Sequence, residues 1–425
     1  MTIFDVINKD LVCKCGRTHR CDIPKLEIGE GAINRLPEFL ADKNSIVLVA
    51  DSNTYPLCGE KVKSLLGKKL EAVCFFDTPG YYLVPNEEAI AKIKAACSDK
   101  TDFILGIGSG VINDLTKQVS FDRNIRSGII ASAPSMDGFA SSGAALILKG
   151  MQVTYTTHAP YMIIGDTNIL KDAPLDMIRS GYADIIAKYS ALCDWKLSQL
   201  INDEFFCPEI YDIVLNAVTE IRSLAKDINS REPKAIGKLM EILVLSGACL
   251  TLANTTRPGS GSEHHLSHYF HITGLIENKP FFLHGTDVGY TTIVTTELRE
   301  KVLKIEKPEF TAIPKEQREE FYKKIFGDFS GEVVTLQNEA KRYDNPVFDK
   351  YIANWDKVKE ILSECPSSEE IKTMLTDAGI DLSKFRELYD EKRIENGIWF
   401  GKDIKDRYSI LWLHFDLFFA KEGLK

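Results

Sequence analysis

Three residues far apart in the chain, Asp184, His264 and His284, each sit in a setting that suits a ligand to one divalent metal. One carboxylate and two imidazoles leave a tetrahedral ion with an open fourth position, which a Lewis-acid catalyst needs and a purely structural zinc lacks. Asp184 lies in Gly181-Tyr182-Ala183-Asp184-Ile185-Ile186-Ala187-Lys188, where the spacing predicts that Asp184 and Lys188 share one helical face and point into one cavity. His264 follows the turn Pro258-Gly259-Ser260-Gly261 and opens a helix that puts His268 one turn on and His265 on a different face. His284 is followed by Gly285, which lets backbone pack close to whatever the imidazole binds. Each piece has a plain alternative: a solvated Asp–Lys ion pair, or a hydrogen-bonded core imidazole. Ile185, Ile186 and Ala187 argue against solvation of Asp184, and five of the eight histidines fall between His264 and His284. The donor set suits Zn2+ first, with Fe2+ and Ni2+ as the other candidates.

A second constellation points to a dinucleotide. The apolar run Phe103-Ile104-Leu105 opens into Gly106-Ile107-Gly108-Ser109-Gly110-Val111-Ile112-Asn113-Asp114-Leu115-Thr116-Lys117. Glycines at a strand-to-helix turn let backbone N–H groups approach a pyrophosphate, whose charge the helix N-terminus stabilises. Glycine-rich turns also serve plain sheet packing. A polar loop, Ser132-Ala133-Pro134-Ser135-Met136-Asp137-Gly138-Phe139-Ala140-Ser141, follows the next strand and opens at the same carboxyl edge, where such sheets bind ligands. Asp51 ends the run Ile46 to Ala50, where a carboxylate can accept from the adenosine ribose or simply close a turn.

Near the start, Cys13, Cys15, His19 and Cys21 are close enough to hold a structural zinc, although the spacing departs from paired Cys-x-x-Cys. The alternative is a terminal strand carrying ordinary thiols. The ten cysteines are spread through a long chain without a signal-peptide pattern, so thiols are expected, not disulfides.

These residues must be positioned by elements that the pattern also suggests. At 425 residues two domains are expected, and 44% hydrophobic with 27% charged residues is ordinary water-soluble composition. A net charge of -9 argues against a nucleic-acid groove, and no run approaches the roughly 20 apolar residues of a membrane span. The expectation is a cytoplasmic protein with neither nucleic acid nor membrane as partner, assembling as a homo-oligomer. Ile46 to Ala50, Ala72 to Phe76, Phe103 to Gly106 and Gly128 to Ala131 read as buried parallel strands. Helices are predicted between them, over Asn86 to Ala96 and Asn113 to Ser120. The order implies a doubly wound sheet. Ala145 to Leu148 and Val153 to Thr157, joined through Lys149-Gly150, read as a hairpin, and Tyr161 to Gly165 as a last strand. Strand signals then fade, and Leu239 to Ala253 and Arg407 to Ala420 are the clearest later helices. The expected division is an α/β dinucleotide-binding domain over 1–170 and an all-α metal- and substrate-binding domain over 171–425.

Taken in order, Gly108-Ser109-Gly110 with Asp114 and Lys117, Ser135-Met136-Asp137-Gly138, Asp184 with Lys188 and Asp194-Trp195, Gly261-Ser262-Glu263-His264 with His268, and His284-Gly285 resemble sn-glycerol-1-phosphate dehydrogenase. The match is to the bacterial, AraM-like branch, related to iron-containing alcohol dehydrogenases, glycerol dehydrogenases and dehydroquinate synthases. It covers roughly residues 20 to 300. The resemblance implies a Rossmann-like N-terminal domain followed by an all-α domain, the dehydroquinate synthase-like fold. It implies that Asp184, His264 and His284 bind the metal and that Asp137 and His268 contact substrate. Asp51, Gly108, Ser109, Gly110, Val111, Ile112, Asp114, Lys117, Ser132, Ala133, Pro134, Ser135 and Ser141 match the stretches that bind NAD or NADP. Gly-Ser-Gly in place of Gly-Gly-Gly, Ala133-Pro134, and the extra His265 depart from the family pattern.

The implied reaction interconverts dihydroxyacetone phosphate and sn-glycerol 1-phosphate, so the partner is a phosphorylated polyol or ketose. His268 is the candidate for orienting substrate or relaying its proton, Asp137 for a second hydroxyl, and Lys188 for the phosphate. Asp51 would repel a 2′-phosphate, which leans toward NAD. Glycerol dehydrogenase is the alternative. A dehydroquinate-synthase-like cyclase would carry a Glu ligand and a Gly-Gly-Lys where Asp184 and Ser141-Ser142-Gly143-Ala144 stand. A non-catalytic nucleotide-binding module would instead bury its histidines in the core.

Overall fold

The computed structural model describes residues 2–78, 83–148, 151–313 and 315–423. Its chain forms two compact units, Met1–Ile185 with Asp212–Thr256, and Ile186–Tyr211 with Arg257–Lys425.

The first unit is built on a sheet of β1 (Lys25–Gly29), β2 (Ile46–Asp51), β3 (Leu70–Phe76), β4 (Phe103–Gly108), β5 (Arg126–Ala131) and β8 (Met162–Asp166). The strands lie in the order β1-β8-β5-β4-β2-β3, every pairing parallel. Residues of β2, β4 and β8 are buried throughout because helices cover both faces. Helix α1 (Tyr55–Leu66) supplies Val62 and Leu66 to a core with Leu48, Leu105, Ile107, Ile130 and Ile164. Helix α2 (Glu87–Ala96) starts where the Asn86 side chain accepts the N–H of Ala89, and α3 (Gly110–Asp122) follows β4 directly. A separate antiparallel hairpin pairs β6 (Gly143–Leu148) with β7 (Met151–Thr156). Its predicted link, Lys149-Gly150, lies outside the described residues. The edge strand β1 was not singled out from the sequence, and all five of its residues are half-buried.

Helix α4 (Leu175–Ile186) ends the unit's first segment, and its second contains most of α6 (Pro208–Arg222) and all of α7 (Pro233–Ala253). Placing α7 here differs from a cut after residue 170. The reason is packing: α7 lies against β1 and β8, where Gly165 leaves room for Met240. This helix is long and apolar enough to cross a membrane, contrary to the expectation that no run would be, and 72% of its apolar window is buried inside the fold.

The second unit is helical. It includes α5 (Lys188–Asn202), α8 (Ser262–Glu277), α9 (His284–Leu303) and α10 (Ile410–Phe418). One expectation fails at the junction. Helix α4 stops at Ile186 and α5 begins at Lys188, with Ala187 between them, so Asp184 and Lys188 do not ride one continuous helical face.

Candidate active site

In the second unit the histidines are organised by two helices. Thr291 Oγ1 on α9 donates to the Glu263 carbonyl on α8 at 2.8 Å, and Ser267 Oγ on α8 donates to Asp287 Oδ2 on α9 at 3.0 Å. These bonds hold His264, near the start of α8, with its ring centroid 5.1 Å from that of His284, the first residue of α9. His268 completes a triangle, 6.3 Å from His264 and 6.1 Å from His284. Glu263 Oε1 contacts His264 Nδ1 at 2.8 Å and also accepts the Gly261 N–H at 2.6 Å. A carboxylate on Nδ1 fixes the tautomer and turns Nε2 outward, the usual support for a metal-bound histidine. Glu263 was part of the sequence motif but carried no assigned role; its position beside His264 was the available signal.

His268 is half-buried, and desolvation by its surroundings holds its imidazole well below the ordinary range, in the neutral form. His265, the extra histidine that departs from the family pattern, is fully buried in the second unit. Lys188 is also fully buried and donates Nζ to the Gly259 carbonyl at 3.1 Å. The ammonium thus braces the glycine turn that starts α8.

In the first unit Asp184 is completely buried, and its Oδ2 accepts the backbone N–H of Asp137 at 3.0 Å. Asp137 in turn accepts from Ser246 Oγ on α7 at 2.9 Å. Ser246 was not singled out from the sequence; a serine beside Gly247 inside an otherwise apolar helix was the clue. The neighbouring backbones nearly touch. A Cβ on Gly247 would lie 2.2 Å from the Asp137 carbonyl oxygen, and one on Gly181 would lie 1.9 Å from that of Pro134.

The glycine loop divides its roles. A Cβ on Gly108 would meet the Ile112 side chain at 2.4 Å, so this glycine serves strand-to-helix packing, whereas one on Gly110 would only touch Met136 at 3.5 Å. Ser109 and Ser135 are hydrogen-bonded through their hydroxyls, tying the two loops together, and Ser132 N–H donates to the Gly108 carbonyl at 2.9 Å. Val111 and Ile112 form the first turn of α3, with Ile112 buried, and Ala133 is buried in the second loop. Lys117 and Asp114 are both engaged within the fold. Lys117 is fully buried, pairs with Asp114 at 2.9 Å and donates to the carbonyls of Gly138 and Ser141, while Asp114 also accepts the Ala145 N–H at 2.9 Å. Lys117 clamps the loop that carries Asp137, and Asp114 ties α3 to β6. Ser141 Oγ closes the same loop on the Gly138 carbonyl at 3.1 Å. Asp51 Oδ1 accepts the N–H groups of Asn53 and Thr54, each at 2.9 Å, so it closes the β2–α1 turn at the carboxyl edge of the sheet.

Cys13, Cys15 and His19 come together in the N-terminal hairpin, but Cys21 does not join them. Its thiol pairs with Thr251 and is pushed up to about 12 by burial.

Comparison with known proteins places these features in a class. Residues 27–174 match the model of the iron-containing alcohol dehydrogenases. The solved iron-containing alcohol dehydrogenase of Corynebacterium glutamicum shares the fold, with a TM-score of 0.57 at 15% identity over 96% of this chain and 98% of that one. The glycerol-1-phosphate dehydrogenase [NAD(P)+] of Halalkalibacterium halodurans is 35% identical over 67% of this chain and 73% of its own length. That of Geobacillus stearothermophilus is 28% identical over 99% of both. The chain belongs to the glycerol-1-phosphate dehydrogenase [NAD(P)+] family.

Proposed function

We propose that this chain is a metal-dependent, NAD(P)-linked oxidoreductase that interconverts dihydroxyacetone phosphate and sn-glycerol 1-phosphate. The observation that carries the reading is His264, oriented by Glu263 and paired with His284 at 5.1 Å. Asp184 supplies the third ligand: a carboxylate oxygen and two imidazole nitrogens are donors that suit Zn2+, Fe2+ or Ni2+. When bound, the ion supplies Lewis acidity at the substrate oxygen that becomes carbonyl or hydroxyl.

The rest is the work of the chain. Asp184 and Asp137 are linked by the 3.0 Å bond, so the ligand carboxylate and the substrate loop keep one geometry. Asp137, held by Ser246, accepts from a second substrate hydroxyl. His268, kept neutral by desolvation, orients the substrate or relays its proton. Ser109, Gly110, Val111 and Ser132 to Ser135 present backbone and hydroxyl groups to the nicotinamide dinucleotide at the start of α3, with Gly108 and Ile112 shaping the turn beneath it. Asp51 takes the ribose, which favours NAD. Asp114, Lys117, Ser141 and Lys188 act as positioning residues through the loops they brace.

The test is a chelated and remetallated preparation assayed with dihydroxyacetone phosphate and NADH or NADPH, then with each glycerophosphate enantiomer and glycerol. Turnover of sn-glycerol 1-phosphate but not of its enantiomer is expected. Turnover of glycerol alone would give the glycerol dehydrogenase reading instead.

A further inference from the structure

We propose that the N-terminal hairpin holds a second, structural zinc on Cys13, Cys15 and His19. The hairpin pairs Leu11 with His19 and Val12 with Thr18, and its turn closes with the Gly16 N–H on the Cys13 carbonyl, Gly16 adopting a φ of 85° that favours glycine. This turn gathers three different donors. Their ligand atoms lie within 4.8 Å of one another, and Cys15 Sγ is 3.2 Å from His19 Nε2. Zinc bonds of about 2.3 Å to sulfur and about 2.0 Å to nitrogen place tetrahedral ligands roughly 3.5 to 4 Å apart, so small side-chain adjustments suffice.

Two further observations favour a metal over ordinary thiols. The Cys15 N–H donates to Cys13 Sγ at 3.3 Å, a bond that stabilises a thiolate. His19 Nδ1 meets the Leu252 carbonyl at 2.8 Å, and a carbonyl can only accept. Nδ1 therefore carries the proton, and the Nε2 lone pair faces the sulfurs, which is the tautomer a zinc ligand needs. His19 and Cys13 are buried at 3% and 7% exposure, so the ion would be shielded from exchange.

The site has a place in the architecture. Leu252 lies in the last turn of α7, the helix whose Ser246 and Gly247 support Asp137, and Cys21 bonds Thr251 in the same turn. Zinc on the hairpin fixes His19 and, through its carbonyl contact, the end of α7. The fourth donor is a water or a further thiolate.

The experiment uses the full chain loaded with Co2+. An Asp-His-His centre has no sulfur, so a thiolate-to-cobalt charge-transfer band in the near ultraviolet reports the hairpin alone. The band is expected, together with loss of one metal equivalent and of the band in the Cys13→Ser/Cys15→Ser variant. Alkylation mapped across all ten cysteines of the wild-type chain is expected to show Cys13 and Cys15 protected until a chelator is added; a third protected thiol would identify the fourth ligand. No sulfur band in cobalt-loaded wild type, or equal alkylation of Cys13 and Cys15 with and without chelator, would overturn the proposal even if the variant fails to fold.

Discussion

Asp194 accepts the backbone N–H of Ser262 at 2.7 Å, at the first turn of the helix that carries His264. The same carboxylate accepts the Ile410 N–H at 2.9 Å and pairs with Arg299 at 3.0 Å, with both charges out of water. A buried pair of this kind is costly to break, because removing one partner leaves the other charge uncompensated. Arg299→Met is therefore expected to destabilise the chain by about 3–5 kcal/mol and to weaken metal retention. Denaturant unfolding and metal analysis check both. An unchanged midpoint would refute the role given to this pair.

The close backbone approaches around Asp137 give a prediction of unusual sign. Alanine in place of a helical glycine normally stabilises by about 1 kcal/mol. Gly247→Ala and Gly181→Ala are expected to do the opposite, since each new methyl meets a carbonyl oxygen, at 2.2 Å and 1.9 Å. The Asp137 loop must move, so KM for substrate should rise with the loss of stability. Thermal melts and steady-state kinetics decide it; a stabilised variant with normal KM would contradict the packing described.

Asp287 carries a pH dependence. Burial raises its carboxyl to about 7, against the ordinary value near 4 in an unfolded chain. Between these values the folded state keeps a proton that the unfolded state releases, so stability falls as pH rises from about 4 to about 7. Asp287→Asn removes that slope and is expected to be the more stable chain above pH 7, by at most about 4 kcal/mol. Unfolding free energies across that range test it, and parallel curves for the two chains would sink it.

Glu263 acts through His264. Glu263→Gln is expected to lower metal affinity about 10- to 100-fold while leaving the helices intact. His268→Ala should reduce turnover with metal retained. Competitive chelator titration separates the two effects, and equal metal affinity in all three chains would remove Glu263 from the account.

The parts of this arrangement legible in the sequence are those set by local pattern. Buried parallel strands such as Ile46–Asp51 read as apolar runs, and the loops at their carboxyl ends announced themselves through glycine and serine. What could not be read was which polar group each side chain would find. Lys117 and Lys188 stood beside plausible ligands, yet their ammonium groups serve loop carbonyls, a choice made by tertiary packing. The four-residue spacing of Asp184 and Lys188 also gave no warning that Ala187 interrupts the helix between them. Ser246 lay hidden because its partner Asp137 is 109 positions away.

The central claim, that Asp184, His264 and His284 together hold the one ion on which turnover depends, is tested most directly by metal content and activity measured on the same Asp184→Asn and His284→Ala preparations. Both variants are predicted to fold, to bind NAD, to lose the catalytic metal and to reduce no dihydroxyacetone phosphate. Full activity in either, or a normal catalytic metal complement in both, would contradict it.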